Sequence, residues 1–136
     1  MDQIQYLDFE LVIEKSGEQY QARVVRSPVG EATHTFSMPF SPLELENFAL
    51  RLGVSTRGKR RISSQQMDSA REFGGKLFGA VFGGDVRASF LSGQHEAKRS
   101  GHGLRFKLRL DAPELVNVPW EYLYDDSLGR FLSLFE

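Results

Sequence analysis

The sequence contains no cysteine, so disulfides, thiolate zinc sites and thiol catalysis are all excluded within it. That absence also suits a reducing compartment, and a cytoplasmic protein is the expectation. No apolar run approaches the roughly 20 residues of a membrane-crossing helix, so no membrane partner is expected. Met1, Asp2 and Gln3 are acidic and polar, which fits neither a signal nor a transit peptide. Histidine is scarce: His34, His95 and His102 are scattered and match no zinc-site spacing. Neither a metal nor a cofactor is expected. What remains is a chain of 136 residues, 40% hydrophobic and 26% charged, able to bury a core as one compact unit.

The net charge of −1 hides a segregation into blocks. Residues 1–50 carry a net −5, residues 51–110 a net +9, and residues 111–136 a net −5. Either the blocks face each other inside the fold, or the basic middle faces a partner. The first is favoured because acid flanks base on both sides.

Period-two alternation marks three opening strands: Leu7, Phe9, Leu11 and Ile13; then Tyr20, Ala22 and Val24; then Ala32, His34, Phe36 and Met38. Short turns between them, one through Ser27, Pro28, Val29 and Gly30, predict an antiparallel meander. A helix follows, with Ser41 as N-cap, Pro42 at its first position and Glu44 completing a capping box. Phe40 and Leu45 are placed to staple it. Leu45, Phe48, Ala49 and Leu52 form its apolar stripe, and Gly53 is expected to end it. A second helix starts near Ser63 or Ser64 and ends at Gly83 and Gly84, weakened by Gly74 and Gly75. Asp85 is expected to cap a third helix that stops at Gly101. In residues 104–110, leucines and Phe106 alternate strictly with Arg105, Lys107 and Arg109, a strand with one apolar and one cationic face. Pro119 then opens a helical turn bearing Trp120, and residues 131–135 read as a final strand. The fold class is therefore α+β.

Ser100, Gly101, His102 and Gly103 form the one catalytic-looking string, since caspase-like peptidases place a general-base histidine in a His-Gly pair. Here the strand follows the pair instead of preceding it, and the string reads as a capped helix end. Ser100 is expected to have no base and no orienting group. Phe82, Gly83, Gly84 and Asp85 lack the lysine and hydroxyl of a phosphate-binding loop. Asp125 and Asp126, beside Ser127 and Gly129, read as a solvated turn. His34 falls on an apolar strand face, as a core histidine would. Arg57, Lys59, Arg60 and Arg61 are candidate partner-binding residues. They offer phosphate contacts or are a solvated loop; with no aromatic residue interleaved, nucleic acid is not an expected partner. Arg105, Lys107 and Arg109 would match an acidic face made by Asp8 and Glu10, if those strands were neighbours.

The C-terminal third carries a resemblance. The strand 104–110, then Ala112-Pro113-Glu114-Leu115, Val118-Pro119-Trp120-Glu121-Tyr122-Leu123 and Arg130-Phe131-Leu132, resembles the opening of a CHAT domain, a caspase-like module related to caspases and separase. The Pro-Trp-Glu turn is its most specific element. The upstream residues Phe40-Ser41-Pro42-Leu43-Glu44-Leu45 and Glu72-Phe73-Gly74-Gly75-Lys76-Leu77-Phe78 look like the N-terminal extension that bacterial CHAT proteins carry. The resemblance implies an N-terminal extension over residues 1–102 and the first strands of a caspase-like sheet over residues 103–136. The His-Cys dyad of active members would lie downstream of the Arg-Phe-Leu strand, so no catalytic residue carries over. Three expectations follow. The chain is a non-catalytic N-terminal portion of a cysteine peptidase, docking the rest of its own protein, a substrate or a regulator; alternatively it is a stand-alone module that binds a protein or a nucleic acid. Trp120 is a structural anchor. The apolar end strand promotes self-association unless it is covered.

Overall fold

The computed structural model describes residues 5–56, 64–132 and 134–135. Its elements are β1 (Tyr6–Ser16), β2 (Gln19–Arg26), β3 (Ala32–Phe36), α1 (Pro42–Thr56), α2 (Ser64–Val81), α3 (Gly84–Arg99) and β4 (Gly103–Leu110). Two 3-10 turns, Pro113–Asn117 and Trp120–Tyr122, lead to β5 (Tyr124–Asp125), β6 (Arg130–Phe131) and β7 (Leu134–Phe135). The fold is α+β. The main sheet has the order β3-β2-β1-β4-β7, and β5 and β6 form a separate hairpin. β1, β2 and β3 are the antiparallel meander. β4 returns through the three helices to run parallel to β1, and β7 is parallel to β4.

The apolar face of the sheet meets the helices. Phe9, Leu11 and Ile13 of β1, Ala22 and Val24 of β2, and Phe106 of β4 share one core with α2 and α3. Its centre is aromatic: Phe9, Phe78, Phe82 and Phe90 stand with neighbouring ring centroids 4.4–6.5 Å apart. A second stack holds α1. The Phe73 ring lies between Phe40 at 4.3 Å and Phe48 at 3.9 Å, both nearly parallel to it.

The opposite face is a ladder of charge. In register, Asp8 stands beside Arg105 and Glu10 beside Lys107. Arg105 donates to Asp8 at 2.7 Å, Lys107 lies 3.7 Å from Asp8, and Arg109 lies 3.9 Å from Glu10. On the other flank Arg23 donates to Glu14 at 2.9 Å. A register shift between Glu10 and Leu11 sets Glu10 opposite Arg26 and Leu11 opposite Val24, leaving Val25 as the extra residue. That bulge turns Arg26 onto the charged face, 3.5 Å from Asp8. Val12 sits amid these charges and is fully buried. Its ladder partners are Arg23 and Arg109, whose aliphatic stems can cover it.

Four local expectations are corrected. α1 runs through Gly53 to Thr56, because a glycine inside a helix costs only about 1 kcal/mol and stops it only in a left-handed conformation. α3 begins at Gly84 with Gly83 as N-cap, and Asp85 lies in the first turn, where its charge suits the helix dipole. β3 ends at Phe36 rather than Met38. The strand expected over 131–135 is two. Gly129, at φ 66°, lets the chain fold back so that β6 pairs with β5, and Leu132 N–H then bonds Leu123 O at 2.9 Å before β7 reaches β4.

Candidate functional site

The apolar stripe expected on α1 is not all packed away. Phe48 is buried, but Leu45 is half-buried and Ala49 is exposed. Leu45 and Ala49, together with Tyr20, Met38, Phe40 and Val118, line a cleft of about 580 Å³. Pro42, Leu45, Glu46 and Ala49 face it at a spacing of i, i+3, i+4 and i+7, one side of a helix. The capping box sets the start of that helix: Glu44 N–H donates to Ser41 Oγ at 3.1 Å, and Ser41 N–H to Glu44 Oε1 at 2.8 Å. The Ser41 N–H first, and then the Ser41 hydroxyl, hold the Glu44 carboxyl below its ordinary pKa.

The facing wall is the first 3-10 turn, through Glu114, Leu115, Asn117 and Val118. Trp120 fixes this wall from behind. It is 6% exposed, and its indole N–H donates to Leu115 O at 2.8 Å. One end of the cleft is polar: Tyr20 OH donates to Glu114 Oε2 at 3.0 Å, and Lys15 Nζ lies 3.6 Å from that oxygen and 4.6 Å over the Tyr20 ring. Burial first, then the Glu114 carboxylate, raises the Tyr20 pKa. Glu114 is lowered by its own backbone N–H and then by the Tyr20 hydroxyl. The charged lining residues are Glu46 and Glu114, both acidic.

The remaining sequence candidates are dispersed. Arg57, Lys59, Arg60 and Arg61 lie outside the described residues. His34 is half-buried, with its ring across the turn at Gly83, where a Cβ would run into it. Asp125 is not solvated as expected: it is 1% exposed, and its Oδ1 accepts from Ser127 N–H at 3.0 Å and Ser127 Oγ at 2.6 Å. It is a turn residue, but a buried one, because the β5–β6 hairpin packs on α2. No group of three or more His, Asp or Glu placed to hold a metal occurs among the described residues.

Ser100 also departs from expectation. Gly101, at φ 76°, folds the chain back, so His102 Nδ1 lies 2.8 Å from Ser100 Oγ and His102 Nε2 lies 3.2 Å from Gln5 Oε1. A base and an orienting amide are thus both present. The setting is wrong for a nucleophile. Ser100 Oγ also faces the carbonyl oxygens of Glu96 at 2.9 Å and Ala97 at 3.3 Å, at the negative end of α3. Those dipoles oppose an alkoxide, whereas acyl transfer needs N–H donors aimed at developing charge. The group serves as a helix terminus. The candidate site is the apolar cleft, whose lining is suited to recognition. Compared with known proteins, the chain matches no family model, no curated protein and no solved structure.

Proposed function

We propose that this chain is a non-catalytic region of a CHAT caspase-like protein of the cytoplasm, whose role is to pack against the catalytic part through the β4–β7 side of the sheet. The observation that carries the reading is the arrangement of that side. β4 and β7 are parallel, and the described sheet ends at β7, which pairs with β4 through Phe106 and Lys107. Parallel strands are characteristically covered on both faces and continued by further strands. The apolar face of β4 still wants cover: Leu104, Leu108 and Leu110 are only half-buried. A hollow of about 240 Å³ opens between Phe90, Phe106, Phe131 and Leu132. The Pro-Trp-Glu turn that carries the resemblance to CHAT domains follows β4 and precedes β7 along the chain, which supports the reading.

Two measurements test it. The reading expects the downstream coding sequence, in frame or in the adjoining gene, to encode a strand followed by His-Gly and later a cysteine. It also expects the chain alone to associate as concentration rises over about a hundredfold range in light scattering. A coding region with neither residue, or a monomer throughout with protected amides at 134 and 135, overturns it.

A further inference from the structure

We infer that the cleft between α1 and the first 3-10 turn is a docking groove for a short amphipathic helix that carries a lysine or arginine beside its apolar anchors. This goes beyond the packing role of the β4–β7 edge and uses other elements, since Tyr20 comes from β2, at the opposite side of the sheet from β7.

Shape sets the kind of partner. The floor is Met38, Phe40, Leu45 and Val118, and α1 presents Pro42, Leu45, Glu46 and Ala49 along one face. A helix laid against a helix face at this spacing interleaves its own side chains at i, i+3, i+4 and i+7, the usual mode of groove recognition. Ala49 is the small position where a partner's large anchor can approach the α1 backbone. Apolar surface also continues beyond the groove: Val116, beside the lining residues Leu115 and Asn117, is 67% exposed. A small ligand would have no use for that outer surface; a polypeptide would.

Charge sets the partner's sign. Both charged lining residues are acidic. Glu114 is already engaged by Tyr20 and Lys15, but Glu46 is exposed and has no ionic partner among the described residues. An apolar helix bearing a cation at the matching turn would bury its apolar face and place that cation on Glu46. An acidic one would meet repulsion.

The test uses the full chain and two fluorescein-labelled 14-residue peptides, one of leucine and lysine and one of leucine and glutamate in the same amphipathic pattern. Anisotropy should show the Leu/Lys peptide binding at least about tenfold more tightly than the Leu/Glu peptide. Ala49→Arg should fill the groove, and Glu46→Lys should remove its acid. Each should weaken the Leu/Lys peptide by about fivefold or more with an unchanged circular-dichroism melt. Both substitutions are on the exposed side of α1, so folding is not at stake, and neither should alter association through β7. Equal affinity for the two peptides, or Leu/Lys binding indifferent to both substitutions, overturns the inference. So does displacement of a bound dye by dodecylamine at this groove with no peptide binding, which would make it a small-molecule site. Loss of concentration-dependent association in the unsubstituted chain would instead count against the packing role alone.

Discussion

Arg105 donates its Nε hydrogen to Oδ1 of Asp8 at 2.7 Å, across the parallel pair that joins β1 to β4. This bond is the main reason the Asp8 pKa is lowered; burial opposes it, and the charges of Arg105 and Lys107 assist. An aspartate whose folded pKa lies below its unfolded value stabilises the fold at pH above the ordinary carboxylate range, roughly pH 4, and loses that contribution as pH falls through the lowered value. Asp8→Asn should therefore destabilise at neutral pH by about 1 kcal/mol, modest because the guanidinium groups of Arg105 and Arg26 reach water. Urea titrations at neutral pH and near pH 2 measure it, and the gap between the two proteins should close at the acidic end.

Trp120 is the sole tryptophan, so its own emission reports its surroundings. It should be blue-shifted and resistant to iodide quenching. Trp120→Ala should cost about 3–5 kcal/mol as a large aromatic truncation. Trp120→Phe should cost about 1 kcal/mol, mostly from the lost indole bond to Leu115 O, which keeps the Val118 N–H at 3.1 Å. A native-like melt in the alanine variant would show that the cleft wall does not depend on the indole.

Two glycines of α2 should respond in opposite senses to alanine. A Cβ at Gly74 would run into the Tyr122 carbonyl oxygen, so Gly74→Ala should separate the second 3-10 turn from the helix and destabilise by about 2 kcal/mol or more. Nothing lies within 4 Å of a Cβ at Gly79, and Gly79→Ala should stabilise by about 0.5–1 kcal/mol through the backbone term. Thermal melts of the pair separate close packing from helix propensity.

The chain should not hydrolyse peptides, despite the contact of Ser100 with His102. Incubation with a mixed peptide library and mass spectrometry should show no cleavage. Cleavage that follows the purified protein and disappears in both Ser100→Ala and His102→Ala would show that the helix terminus is a working nucleophile after all.

Alternation makes the long strands legible from sequence, because a half-buried strand needs one apolar and one polar side. The capping box likewise announces α1. Neighbourhood is another matter: Asp8 and Arg105 are 97 positions apart, and no local pattern says that β4 pairs with β1. The cleft is hidden for a related reason. A helix stripe such as Leu45, Phe48 and Ala49 looks the same whether its own chain covers it or leaves it open. Asp125 misleads in the same way, since an Asp-Asp-Ser-x-Gly turn does not say which helix will lie on top of it.

The central position of β1 has a consequence for how the chain is made. Its β2 flank closes across a turn of two residues as soon as residue 26 has been synthesised. Its other flank must wait for residues 103–110, and until then the backbone groups of β1 stand open to any passing strand. Asp8 and Glu10 screen that interval. A strand without cations at alternate positions meets acid that Arg26, 3.5 Å from Asp8, only partly offsets, and β4 itself, slipped by one residue, would set its leucines against them. Arg105 and Lys107 therefore act as a password as much as a brace: they admit one segment, in one register, to the place held for it.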